Sequence, residues 1–423
     1  MSGTLYTAIS GLNAEQALLG VVSGNIANVN TTGYKSSNLT FAQALEQTLA
    51  GATAPTATTG GTNPQQVSAG SAVGIGAVDV NMSQGSLQTT GIKTNMAISG
   101  HGFFVIKTPT GYSYSRSGDF TLNAQGRLVT PQGYFVMGWT AQGGKLTGQN
   151  AGNLSPITIT PNMTLAASAT SQVTVQGNLN AALAQTPASA TPAQRTIPVT
   201  VYDSLGNPVT LDLNFTPTKS NPNNGTSWTL SVTDPTSGSA VAASGASTVS
   251  FTNTGTLSGP QTVKLVLTST TGAASPQSVQ LNLGQLTSAA SSTSLTATAD
   301  GYPQGTLSNF TIGKNGVITG SFNNGQIQPI AQVALANFNN AAGLLNVGNN
   351  LWQQSANSGT PLMGQPASGT LGSVVSGSLE ESNVSLANQF VNMIMAQQGY
   401  QANAKVISVA QALGTTLVNT VAP

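Results

Sequence analysis

The side chains that could carry chemistry in this chain are few and scattered. Asp79, Asp119, Asp203, Asp212, Asp234 and Asp300 each stand alone, most of them beside Gly, Ser or Pro. General acid–base catalysis needs carboxylates or imidazoles that converge on one reacting atom, and a calcium site needs clustered carboxylates. Asp203 and Asp300 therefore read as turn residues. The single histidine, His101, lies between two glycines and reads as a loop residue, which leaves no His-rich metal site. Gly74-Ile75-Gly76 has the look of a phosphate loop, but no strand-then-helix context accompanies it. Without a single cysteine, thiolate chemistry and disulfide staples are ruled out. The expectation is a protein with no catalytic residue, no cofactor and no metal.

Composition narrows the class further. The 423 residues suggest two to four folded units, and 39% hydrophobic content is enough to fill their cores. Only 5% of the residues are charged, against about 25% in ordinary domains, so Ser, Thr, Asn, Gln and Gly must keep the chain in solution. Eleven basic and ten acidic residues, thinly spread, form no stripe that could track phosphates, so nucleic acid is not an expected partner. No run of about 18 apolar residues suits a membrane span, so no membrane insertion is expected. The first basic residue is Lys35 and the opening segment is periodic, unlike a cleavable secretion signal. The charge-poor Gly/Ser/Thr-rich body nevertheless looks extracellular, which points to a dedicated export route.

The elements that would have to position any function are helical at the two ends and β between them. From Leu5 a heptad reading places Leu5, Ala8, Leu12, Glu15, Leu19, Val22, Ile26 and Val29 at the a and d positions, a coiled-coil pattern. Asn28, Asn30, Thr31, Thr32 and Gly33 then end the helix. Toward the other end, Ser382 and Asn383 offer an N-cap near Glu380 and Glu381. Leu386, Phe390, Met393, Gln397, Tyr400, Ala404 and Ile407 follow at 4-3 spacing, and Ala410, Leu413 and Leu417 continue after a one-residue slip. The seam expected to close on assembly is therefore Leu5, Leu12, Leu19, Val22, Ile26 and Val29 with Leu386, Phe390, Met393, Tyr400, Ala404, Ile407, Leu413 and Leu417.

The middle alternates with period two. Ile197, Val199 and Val201 precede Ser204-Leu205-Gly206-Asn207, and Val209, Leu211, Leu213 and Phe215 follow it, a hairpin pattern. Trp228, Leu230 and Val232 alternate likewise, as do Val279, Leu281 and Leu283, and Asn123–Gly126, Lys314–Gly316 and Asn323–Gly325 read as turns. The fold class expected is mainly β with terminal α-helices, the helices pairing as a coiled coil, with nested β domains in the middle of the chain. Ala/Thr/Gly/Ser-rich composition marks 36–70 and 358–377 as extended linkers that let the helices move relative to the β body, and Ala181–Gln194 as a surface loop.

Ala8-Ile9-Ser10-Gly11-Leu12-Asn13-Ala14 and Asn25 through Thr31-Thr32-Gly33-Tyr34-Lys35 resemble, in order and spacing, the N-terminal signature of the bacterial flagellar rod, hook and hook-associated axial proteins. Gly377-Ser378-Leu379-Glu380-Glu381-Ser382-Asn383-Val384, Asn392-Met393-Ile394 and Gln398 to Asn403 resemble the same family's closing segment, although the family more often has a basic residue at the place of Gln398 or Gly399. Ile98 to Val105 and Ser115-Arg116-Ser117-Gly118-Asp119-Phe120 occur in its rod and hook members alike. Val201 to Asn207, Asp300 to Gly305, Val333 to Phe338 and Gly348 to Trp352 resemble the hook members in particular.

That resemblance implies a structural subunit of the flagellum outside the cell, a homopolymer forming a curved tube that carries torque from rod to filament. It implies an inner tube of terminal helices (1–35 and 378–423), a middle β domain (71–145 and 305–357) and an inserted outer β domain (146–304). The implied partners are further copies of the chain, the rod and hook–filament junction proteins, the hook cap and the flagellar export apparatus. A distal rod subunit is the alternative within the family, disfavoured by chain length and the inserted region. A secreted β-rich adhesin would not explain the paired heptad ends.

Overall fold

The computed structural model describes residues 2–43, 47–50, 65–67, 73–185, 194–218, 225–235, 242–244, 248–268 and 272–421. The chain is mainly β, with one long helix at each end: α1 over Ser2–Ala27 and α2 over Leu386–Val421. It divides into two compact units.

The first unit comprises Met1–Thr160, Thr311–Thr319 and Gln328–Pro423. The strands Phe103–Thr108 and Gly111–Ser115 form a tight hairpin with Thr108 opposite Gly111. Phe135 pairs with Lys107 on one side of it and Leu351 with Ser115 on the other. Gly138 pairs with Val333, and Leu335 with Phe104. Alternating inward residues of these strands build a core of Phe103, Val105, Tyr114, Met137, Trp139, Phe338 and Trp352. The Phe338 ring meets Tyr114 edge-on at 4.8 Å and Phe103 at 6.0 Å, the arrangement favoured by ring quadrupoles.

The second unit comprises Pro161–Phe310 and Gly320–Ile327. One sheet runs in the order Ala242–Ser244, Thr262–Leu267, Gln277–Thr287, Gln172–Asn178, Ser294–Ala299, and the other runs Arg195–Tyr202, Pro208–Thr218, Thr226–Thr233, Thr248–Phe251. Their inward residues, including Trp228, Leu230, Val232, Val279, Leu281 and Leu283, share one hydrophobic core. This is the sandwich that period-two alternation requires. The hairpin expected around Ser204–Asn207 is present, with Tyr202 opposite Pro208. Its turn is built by Asp203, whose Oδ1 accepts from Leu205 N and Asn207 N, each at 2.9 Å.

Two segments depart from the sequence reading. Within 36–70, Ser37–Gln43 is a strand paired with Val73–Val80, and Gln47–Ala50 pairs with Gln65–Val67; the residues between them lie outside the described ones. In 358–377, Leu362–Gly364 pairs with Leu335–Asn337, and Ser373–Ser376 pairs with Met96–Ser99. Small side chains there permit close backbone approach: Gly372 N donates to His101 O at 2.7 Å, and a Cβ on Gly372 would strike Ser99 O. Low-complexity composition reflects tight packing in this stretch, not an extended tether. Within Ala181–Gln194, Ala181–Gln185 forms a short 3-10 turn with Ala184 buried, and 186–193 lie outside the described residues.

Candidate functional site

The residues that matter gather where the two helices join the first unit. After α1, Asn28 Nδ2 donates to Gly24 O at 2.9 Å and closes the helix end. Gly33 then turns the chain with φ +69°, a conformation that suits glycine. A Cβ at this position would also press on Ser117 N. This turn lets Gly33 N donate to Glu380 O at 2.7 Å and carries Lys35 into the interior.

There Lys35 Nζ lies 2.6 Å from Glu380 Oε1, and neither side chain is exposed to solvent. Arg116 Nη1 lies 3.3 Å from Glu380 Oε2. Polar neighbours add further bonds, although the buried Arg116 Nε has no hydrogen-bond partner. Lys35 Nζ donates to Ser83 O at 2.7 Å, Gly85 N donates to Glu380 Oε1 at 3.0 Å, and Arg116 Nη2 donates to Gly100 O at 2.8 Å. The Arg116 guanidinium also stands 5.4 Å from the Phe103 ring centre. Burial holds the Lys35 ammonium below its ordinary pKa; Glu380 pulls it back up and Arg116 pushes it further down. Burial lowers Arg116 as well, opposed by Glu380. One carboxylate thus stabilises two desolvated cations, and its removal would leave both without a counter-charge.

A second, uncharged hub ties the same elements. Asn25 is 1% exposed and uses its whole amide. Its Oδ1 accepts from Ser37 N at 2.9 Å and Tyr34 Oη at 3.2 Å, while Nδ2 donates to Ser37 O at 2.8 Å and to Gln389 Oε1 of α2 at 3.1 Å. Asn383, expected as an N-cap, does other work. Its Oδ1 accepts from Ser36 N at 2.8 Å, and its Nδ2 donates to Asn81 O at 2.8 Å and Ser83 O at 3.0 Å. The α2 helix begins three residues later, with Gln389 N bonded to Ser385 O. The helices are therefore bracketed to their unit by buried hydrogen bonds and an ion triad, where the sequence had suggested free movement.

The helices pack antiparallel through small residues. A Cβ on Gly11 would collide with the Asn403 side chain, and one on Gly399 with the Glu15 carboxylate. Ala8, Ala14, Val22 and Asn25 of α1 are buried, as are Gln389, Ala396 and Ala410 of α2. The expected seam is consequently split. Val22 is buried; Leu5, Leu12, Leu19, Ile26, Val29, Met393 and Ile407 are half-buried; Leu386, Phe390, Tyr400, Ala404 and Leu413 are exposed. The side chain of Leu417 lies outside the described residues. Phe390 and Tyr400 sit one position away from Gln389 and Gly399, so the exposed large residues and the stripe that faces α1 run side by side. Glycine and alanine let the backbones approach closely, and Phe390, Tyr400 and Leu413 are turned outward.

A cavity of about 400 Å³ in the first unit is lined by amides and hydroxyls, among them Asn28, Thr31, Ser117 and Asn350, with Asp119 as its one carboxylate. Among the described residues no three His, Cys, Asp or Glu side chains cluster as metal ligands, and no helix is long and apolar enough to cross a membrane.

Comparison with known proteins accounts for the arrangement. The family described as flagella basal body rod protein matches residues 5–35, and the flagellar basal body rod FlgEFG protein C-terminal family matches 375–420. The flagellar hook protein FlgE/F/G D1 domain matches 97–181, and the flagellar basal body protein FlaE D2 domain matches 168–302. Fold and site thus define the class, an axial protein of the bacterial flagellum. Flagellar hook protein FlgE of Salmonella typhimurium is 35% identical over 425 residues, spanning 97% of this chain and 98% of that protein. FlgE of Treponema pallidum is 34% identical over 466 residues, 99% of each chain. The solved structure of Helicobacter pylori flagellar hook protein FlgE2 shares the fold, with a TM-score of 0.51 and 17% identity over 69% of this chain and 98% of that one. The chain belongs to the flagellar hook protein FlgE family. It is a structural subunit of the hook, in the extracellular part of the flagellum, where it polymerises with itself.

Proposed function

We propose that this chain builds a flexible curved tube that works as a universal joint, passing torque from the flagellar rod to the filament, and that it catalyses nothing. The observation that carries this reading is the outward face of α2. Phe390, Val391, Ile394 and Met395 are each more than half exposed although large and apolar, a pattern that marks an interaction surface. Neighbouring copies would cover that face, with segments 1–35 and 378–423 lining the tube and 146–304 forming its outermost layer. The buried triad would then hand force from the helices to the β body of each subunit. Rod and hook–filament junction proteins at the two ends, the hook cap during growth and the export apparatus beforehand complete the set of partners, as the resemblance implies.

An Ile394→Asp substitution tests the reading. The carboxylate would be harmless in the monomer, where the side chain is 58% exposed, and costly once a neighbour covers it. The expected outcome is an unchanged melting temperature with no tubes by electron microscopy. Tubes of normal appearance would overturn the proposal.

A further inference from the structure

Each terminal helix carries one charge. Glu15 is the only charged residue of α1, and Lys405 is the only one of α2. Within the chain the two do not meet. The Glu15 carboxylate lies over Gly399, whereas Lys405 is six residues further along α2, about 9 Å of helix rise. Lys405 is also exposed, beside the exposed Val406 and Val409. Among the described residues neither charge has an ion-pair or hydrogen-bonded side-chain partner. Glu15 is half-buried, and burial raises its pKa.

Any surface that covers Val406 and Val409 also removes water from Lys405, and a desolvated ammonium requires a counter-charge. The helices of a second copy can supply one carboxylate, Glu15. We infer that Glu15 of one copy pairs with Lys405 of a neighbouring copy in the assembled tube, an inference that rests on the polymer proposed above. Gly399 has a definite part in it. By lacking a side chain it leaves room for the Glu15 carboxylate at the edge of the helix pair, where an incoming ammonium can reach it. The pair fixes the offset between copies along the tube, because apolar helix faces slide past one another and a lone pair of opposite charges does not.

Charge exchange in the full-length chain tests this. The concentration needed to form tubes would be measured by sedimentation and electron microscopy for the wild type, Glu15→Lys, Lys405→Glu and the double exchange. The pairing predicts that each single change raises that concentration at least about tenfold, and that the double change restores it to within about threefold of the wild type. In parallel, tubes made from mixed light- and heavy-isotope chains would be treated with a carbodiimide and digested. A Glu15–Lys405 amide linking light to heavy peptides is expected, and it should be missing from monomer. Single variants that assemble normally, a double variant as defective as the singles, or tubes without that cross-link would each overturn the pairing. A wild-type chain that forms no tubes at all would instead overturn the polymer proposal.

Discussion

Replacing Glu380 by alanine should be among the most damaging single changes available in this chain. The carboxylate is wholly buried and faces Lys35 at 2.6 Å and Arg116 at 3.3 Å. Without it, two like charges share one dry site, and Gly85 N loses its acceptor. Removing one member of a buried ion pair costs about 3–5 kcal/mol, and in a domain of this size each kcal/mol lowers the melting temperature by about 2–4 °C. The first unit should therefore melt roughly 6–20 °C lower, read by calorimetry. Hydrogen exchange at Gly33 and Gly85, whose amides bond Glu380, should accelerate. Replacing all three members with apolar residues, Lys35→Met, Arg116→Leu and Glu380→Leu, should recover much of the loss, because no charge is then stranded. A Glu380→Ala protein within about 0.5 kcal/mol of the wild type would refute the reasoning.

Other expectations are as direct. Burial pushes the Asp300 pKa up, but hydrogen bonds from Gln172 N, the Ser171 hydroxyl and Ser171 N outweigh it and hold the group below the ordinary carboxylate value. Its stabilising effect is then complete above about pH 4 and lost as pH falls through the lowered folded value. Asp300→Asn should lower the melting temperature at pH 6, and the gap to the wild type should close in acid; a gap independent of pH would contradict this. Gly399→Leu should reduce helix content by circular dichroism despite leucine's higher propensity, because its side chain meets Glu15. A gain in helicity would show that the helices do not approach as described. Gly118→Ala should cost several times the ~1 kcal/mol typical of point changes, since its Cβ would overlap Met96 O, and a normal chemical denaturation midpoint would sink that claim.

Much of the architecture can be read from residue spacing, because helical and β periods are local properties. The heptads led to α1 and α2, and alternation through Val199, Leu211 and Trp228 led to the sandwich of the second unit. The triad is not legible in the spacing, because Lys35, Arg116 and Glu380 are far apart in the chain and Glu380 on its own resembles a charge placed near a helix start. One signal does point to it: each member lies inside a stretch that carries the family resemblance, in a chain with only 21 charged residues. The expected seam is only partly closed within one chain, for a different reason. Hydrophobicity singles out Phe390 and Tyr400, whereas close helix approach selects Gly11, Ala396 and Gly399, whose contribution is the room they leave. Composition misled at 358–377 in the same way, since small residues suit a tight sheet edge as well as a tether.

The triad also joins segments that are far apart in the chain. Its cations come from positions 35 and 116, and its only anion from position 380. A chain cut short before Glu380 would have to fold around two mutually repelling cations, and Asn25 of α1 would lose its bond to Gln389 while keeping those to Ser37 and Tyr34. The three segments satisfy one another only when all of them meet, so the triad couples the stability of the chain around 35, 116 and 380 into one cooperative corner of the fold.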